Sequence, residues 1–230
     1  MVGCDQPRES VQMRGIVTDG PESVVGLAGA SLTTIGEDGA VYSTTKTTST
    51  GAFSVDLPSE QMVHAIVEAD GFEVSSFGGG SGAMAGLDAE VGLLYGLAIE
   101  EADQWREAFD GCSGVGSGAM VIGQVKLLDR ISTTSGDPII VTTAWSRLED
   151  WDGNEIEACY MDDKGEMYDP LALETGASGK FAFFGLDEGL YTFSIGYTLL
   201  YFEVYEISWQ LYAPKDGVAP RLPIWVESVL

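Results

Sequence analysis

Ser178-Gly179-Lys180-Phe181-Ala182-Phe183-Phe184-Gly185-Leu186, followed by Gly189-Leu190-Tyr191-Thr192-Phe193-Ser194-Ile195-Gly196-Tyr197, reads as two strands joined by a short turn. Phe181 and Phe183 stand two apart, and a two-residue period sends alternate side chains to one face of a sheet. Gly179 stands just before the first run, where a turn commonly demands a positive φ that glycine adopts freely, and Gly189-Leu190-Tyr191 repeats that logic at the next hairpin. The pattern predicts antiparallel pairing around a buried apolar face.

Working outward, the same pieces occur twice. The first half has Arg14-Gly15-Ile16-Val17-Thr18-Asp19, Leu27-Ala28-Gly29-Ala30-Ser31-Leu32-Thr33, Thr50-Gly51-Ala52-Phe53-Ser54-Val55-Asp56-Leu57-Pro58 and Val63-His64-Ala65-Ile66-Val67. The second half answers with Ile122-Gly123-Gln124-Val125-Lys126, Asp137-Pro138-Ile139-Ile140-Val141-Thr142 and the hairpin above. Gly15 matches Gly123 and Gly51 matches Gly179, so the second copy carries about 20 extra residues in its middle. These fall within an acidic, aromatic-containing insert, residues 146–175. Short strands punctuated by Gly, Pro, Asp and Ser are the pattern of an antiparallel sandwich.

The G-x-V start, the second strand with a P-x-x-G-A-like cadence, T/S-x-G-x-F and L-x-x-G-x-Y together resemble the carboxypeptidase regulatory-like (transthyretin-like, or prealbumin-like) domain family. The resemblance covers roughly residues 11–76 and 119–228; the first copy has Leu57-Pro58-Ser59-Glu60-Gln61-Met62 where the family usually has a Gly-x-Tyr turn. It implies an all-β chain of two tandem antiparallel β-sandwich domains. It also implies non-catalytic modules of the kind found in surface lipoproteins, adhesins and secreted enzymes. The expected organisation is a tether at 1–10, a first sandwich at 11–77, a Gly-rich linker and one short α-helix at 78–118, and a second sandwich at 119–230.

Composition narrows the function classes. Hydrophobic residues at 45% against 20% charged residues place the chain among globular proteins. A net charge of −25 repels phosphate backbones and anionic headgroups, which argues against nucleic acid as a partner. No run approaches the roughly 18 apolar residues of a membrane-spanning helix. Any membrane link is therefore expected through an anchor alone.

Gly3-Cys4 ahead of a polar lead-in resembles the end of a bacterial lipoprotein signal, with Cys4 the lipidated residue. The apolar part of such a signal does not precede it here. Within the connector, Gly78-Gly79-Gly80-Ser81-Gly82 is a flexible break. Leu93, Leu94, Tyr95, Leu97, Ala98, Ala102, Trp105 and Phe109 then recur at three- and four-residue steps, predicting an amphipathic helix stopped by Asp110-Gly111. Its apolar stripe is expected to pack between or against the sandwiches; the alternative is a helix that binds a partner.

Candidate chemistry is sparse, and no catalytic residues are assigned. The single histidine, His64, lies inside a strand with no supporting catalytic motif, and one His with three Cys cannot make an ordinary zinc site. Asp150, Asp152 and Asn154 form an oxygen-rich turn that is either a calcium loop or an acidic turn; Asp162-Asp163-Lys164-Gly165-Glu166 is a second such turn, and neither has EF-hand spacing. Apart from calcium no cofactor is expected. Trp145, Trp151 and Tyr160 offer a platform for glycan or peptide, or ordinary sheet packing. Setting Cys4 aside for lipid leaves Cys112 and Cys159, which in an exported chain either pair as a disulfide or remain two buried thiols.

The combined expectation is a bacterial cell-envelope lipoprotein, on the periplasmic face or cell surface. It would be a non-enzymatic binding or structural module for a protein or carbohydrate partner. The alternative is an accessory unit of a secreted hydrolase or an outer-membrane transport system.

Overall fold

The computed structural model describes residues 10–58, 62–78, 89–90, 94–128, 139–140, 144–199 and 203–227. The chain is nearly all β with one helix among the described residues, and it divides into two compact units, Met1–Ile99 and Glu100–Leu230.

In the first unit β1 (Ser10–Thr18) pairs antiparallel with β4 (Ala52–Pro58) and parallel with the short β8 (Ala89–Glu90) and β9 (Leu94–Tyr95). Facing them, β2 (Ser31–Gly36) runs antiparallel to both β3 (Val41–Lys46) and β5 (Val63–Glu68), and β5 to β7 (Ser75–Gly78). β6 (Phe72–Glu73) and β10 (Leu97–Ala98) form a separate two-stranded ribbon. The predicted alternation holds in β4, where Phe53, Val55 and Leu57 are buried and Ser54 and Asp56 exposed. They meet Val11, Met13, Leu32, Val67 and Phe77 in one apolar cluster.

The second unit opens with α1 (Ile99–Ala108), nearly all of which belongs to it. β11 (Ala119–Leu128) pairs antiparallel with β16 (Lys180–Leu186) and parallel with β19 (Val218–Glu227); β12 (Ile139–Ile140) adds to β11 and β15 (Cys159–Tyr160) to β16. The facing sheet runs β14 (Glu155–Ile156), β13 (Ala144–Glu149), β17 (Gly189–Leu199), β18 (Glu203–Ala213), all antiparallel. Phe181, Phe183 and Phe193 fill its core, with Phe181 and Phe193 stacked at 5.6 Å.

The two units share one wiring. The order β3-β2-β5-β7 in the first corresponds to β14-β13-β17-β18 in the second, and β4-β1 plus a parallel strand corresponds to β16-β11-β19. The repeat extends to single hydrogen bonds. Gly51 and Gly179 both have positive φ, and their carbonyls accept from Val17 N (2.9 Å) and Val125 N (3.0 Å). Four residues before each glycine stands a buried threonine, Thr47 or Thr175. Thr47 N donates to Ala30 O at 2.9 Å while Ala30 N donates back to Thr47 Oγ1 at 2.9 Å. Thr175 N donates to Ala144 O at 2.7 Å while Ala144 N donates back to Thr175 Oγ1 at 3.2 Å. Each clasp fixes the start of the second strand against the segment entering the Gly turn.

Three local expectations need correction. The strand equivalent to β2 is β13, which begins at Ala144 after the clasp; the Ile139-Ile140 run instead pairs with β11. The helix does not reach back to Leu94: Leu94–Tyr95 and Leu97–Ala98 pair with β1 and β6, and Gly96 N donates to Thr18 O at 2.8 Å. Leu94-Tyr95-Gly96-Leu97 fits a short extended run as well as it fits helical spacing, and Gly96 disfavours helix by about 1 kcal/mol. Finally, the segment read as an insert is partly framework, since Ser146–Glu149 lie in β13. The real excursion is residues 157–179 between β14 and β16, where the first unit needs only residues 47–51 between β3 and β4.

The helix lies on the second unit. Trp105 stacks on Phe109, Phe109 meets Phe184 at 5.7 Å, and Lys180 Nζ sits 5.6 Å over the Trp105 ring. β16 is therefore covered on both faces, which is why Ala182 and Phe184 are buried along with Phe181 and Phe183. Cys112 and Cys159 form a disulfide, Cα–Cα 6.3 Å, joining the end of the helical segment to β15. Tyr168 N, from the excursion, donates to Ala108 O at 2.8 Å and so satisfies a carbonyl at the helix C-terminus.

Candidate functional site

The β13–β14 turn is built around Asp150. Its Oδ1 accepts from Asp152 N (2.9 Å) and Asn154 N (2.8 Å), and its Oδ2 accepts from Asn154 Nδ2 (2.8 Å). Those donors, the Asn154 side chain first, hold the carboxyl below its ordinary pKa, so Asp150 is ionised at neutral pH. No cation pairs with it among the described residues; Glu149 beside it, by contrast, meets Arg147 Nη2 at 2.7 Å. The other acidic turn is alike, with Asp162 Oδ1 accepting from Glu166 N at 2.9 Å.

These bonds bear on calcium. Both Asp150 oxygens face N–H donors of their own turn, and Asn154 presents its NH₂ rather than its oxygen to Asp150. Among the described residues there is no group of three or more His, Cys, Asp or Glu side chains arranged to hold a metal. The corresponding turn of the first unit uses Asp38 in the same way, its Oδ1 accepting from Ala40 N at 3.0 Å. Asp38 and Asp150 thus share a turn-forming role.

The three aromatics do not converge. Tyr160 is inside the sandwich: it sits opposite Phe181, and its hydroxyl accepts from Ser146 N at 2.9 Å, linking the two sheets. Trp145 is on the outer face of β13 and lies flat across Gly196, whose missing Cβ leaves room for the indole. Trp151 alone is free to act, 80% exposed at the tip of the Asp150 turn.

Trp151 borders an open depression of about 210 Å³ lined also by Asp150, Leu190, Tyr191, Thr192 and Gln210. Register explains the grouping. Thr192 pairs with Gln210 on one side and Glu149 on the other, while Leu190 lies two residues before Thr192 on the same outer face. Gln210 Oε1 is buried and accepts no hydrogen bond. Tyr191, between Leu190 and Thr192, points the other way into the apolar core, and its hydroxyl donates to Asp187 O at 2.9 Å, four residues upstream, the arrangement of a tyrosine corner. Burial first, then the negative charges of Asp187 and Asp150, push the Tyr191 hydroxyl pKa up. Nearby, Tyr212, opposite Leu190, donates to Glu188 Oε1 at 2.6 Å. The aromatic pattern signals Trp151, whereas Thr192 and Gln210 follow only from continuing the hairpin from Gly189 in register.

His64 is fully buried on β5, opposite Ile35 and Gly78. Cys4, the tether and residues 79–82 lie outside the described residues. No helix among the described residues is long and apolar enough to cross a membrane.

No protein-family model and no curated protein matches the chain. Among solved structures it is similar to the Bacillus anthracis TIE protein, with 13% identity over 95% of this chain and 34% of that one, TM-score 0.29. It is also similar to GBS52, the minor pilin of Streptococcus agalactiae, with 12% identity over 96% and 97% of the two chains, TM-score 0.36. A streptococcal ancillary pilin matches with 13% identity over 95% of this chain and 61% of that one, TM-score 0.27. The chain thus spans about a third of the TIE protein's length.

Proposed function

We propose that the chain is a non-catalytic binding and structural module of the bacterial cell envelope, exported and held to a membrane by acyl chains on Cys4. Its second sandwich engages a protein or glycan partner. The observation that carries this reading is the Cys112–Cys159 disulfide, because such bonds persist in oxidising compartments and are rare in the reducing cytosol. The same bond suits a display role, since it pins the end of the helical segment to the framework beneath the excursion and the second unit then presents an ordered surface. Kinship with the carboxypeptidase regulatory-like family, and the boundaries 11–77 and 119–230, belong to the same proposal.

The test is metabolic labelling of the full-length precursor with radioactive palmitate in a bacterial host. Labelling that vanishes in Cys4→Ser supports the anchor. A precursor that remains unlabelled and soluble overturns it, and a cytosolic location with Cys112 and Cys159 recovered as free thiols overturns export.

A further inference from the structure

We propose that the depression beside Trp151 is a receptor for one basic side chain, a guanidinium or ammonium carried by a protein partner. The proposal deepens the binding role given above and rests on it.

Three features converge. Trp151 exposes its indole at the rim, and the face of an indole attracts cations more strongly than that of any other side chain. Asp150 at the same rim is an ionised carboxylate with no cationic partner among the described residues; the turn's N–H groups spread its charge without cancelling it. Gln210 lines the depression, and its amide oxygen accepts nothing; that oxygen is closed to solvent in this rotamer, and a turn of the side chain toward the depression would let it take an N–H donor and recover the cost of an orphaned acceptor. The groups with spare capacity are thus acceptors and a π face, which is complementary to a donor-only cation.

Size and field agree. A volume of about 210 Å³ is below the roughly 300–1,000 Å³ of whole-ligand pockets, so it suits a single side chain of a larger partner. A chain of net charge −25 gathers cations and repels anions. A neutral sugar ring would use the indole face but gain nothing from the charge, so the observations favour the basic side chain.

The test uses the full chain, ¹⁵N-labelled, titrated with N-acetyl-arginine methylamide while the tryptophan indole N–H resonances are followed. Trp151 is identified by the signal missing in Trp151→Phe. The expected result is a saturable shift of that resonance. N-acetyl-citrulline methylamide, the uncharged isostere, should bind at least about ten-fold more weakly, and raising salt from about 50 to about 500 mM should weaken the arginine compound several-fold. Gln210→Lys, which places a like charge in the site, should abolish the shift. Trp151→Ala, at an exposed position that folding does not require, should abolish binding of the arginine compound measured by calorimetry. An unmoved Trp151 resonance, equal binding of the citrulline compound, or a shift produced by methyl glucoside in place of arginine each overturns the proposal. Palmitate labelling at Cys4 is independent of all these outcomes, so failure here and failure of the envelope reading are separable.

Discussion

Replacing Thr175 with valine tests the repeated clasp directly. Valine has nearly the shape of threonine, so the core volume is kept while the hydroxyl is lost. Ala144 N then loses its acceptor at 3.2 Å, and Ala144 and Thr175 are both fully or almost fully buried, so water does not replace the bond. A buried N–H left unpaired costs about 1–3 kcal/mol. Thr47→Val should destabilise the first unit by a similar or larger amount than a single lost bond, because Thr47 Oγ1 both accepts from Ala30 N (2.9 Å) and donates to Leu27 O (2.6 Å). With a urea m-value of about 1–3 kcal/mol/M, a loss near 2 kcal/mol lowers the midpoint of the affected unit by about 1 M without changing m. Thr44→Val, on an exposed strand position, serves as control and should stay within about 0.5 kcal/mol. If both clasp variants unfold with the control and the parent, the clasp is a geometric coincidence and the reasoning fails.

Other expectations follow the same logic. Tyr160→Phe should destabilise the second unit by about 1–3 kcal/mol, since it strands Ser146 N between the sheets, and Tyr191→Phe by about 1 kcal/mol through loss of the bond to Asp187 O; calorimetry of each variant decides. Reducing Cys112–Cys159 reopens a loop of sequence separation 47 and should lower stability by about 4 kcal/mol on the chain-entropy view, read as a midpoint shift with and without reductant. Asp150 and Asp162 have folded pKa values below their ordinary value of 3.8, so their contribution is present above about pH 4 and is lost as pH falls through the lowered values. Glu101 is displaced upward by burial, so it opposes folding once pH rises past its ordinary value of 4.5. Asp150→Asn should accordingly flatten the acid limb of the unfolding curve, and an unchanged limb would contradict the assignment.

What the sequence revealed is what local periodicity encodes. Phe53, Val55 and Leu57, or Phe181 and Phe183, announce a strand because each residue's neighbour two along shares its face, and the glycines before them announce the turn. The clasp was not legible, because Thr47 lies in a run with Thr44, Thr45, Thr48 and Thr50, and only burial singles it out; the shared spacing of four residues to Gly51 and Gly179 was its sole trace. Phe184 breaks the two-residue period for a tertiary reason, since α1 covers the face to which it points. Trp145, Trp151 and Tyr160 are neighbours in the chain only. Trp145 and Ser146 point to opposite sides of β13, and Tyr160 reaches Ser146 from inside, so the strand separates what the chain keeps close.

The repeat also indicates where the second copy departs from the first. The β2–β3 turn closes on Asp38-Gly39, and the β13–β14 turn on Asp150-Trp151-Asp152-Gly153; both use the aspartate to accept backbone N–H, yet only the second lifts an indole into solvent. Because Ala144 and Thr175 are bonded to each other, residues 145–174 form a loop whose ends are already held together. Lengthening such a loop costs only about 0.6 kcal/mol per doubling. The clasp therefore lets one sandwich carry a tight return between its strands and the other carry an excursion, without disturbing the pairing on either side. The disulfide and the Tyr168–Ala108 hydrogen bond then fix the excursion to α1. The surface peculiar to the second copy, Trp151 with its depression, is thus borne on a framework that the first copy already contains.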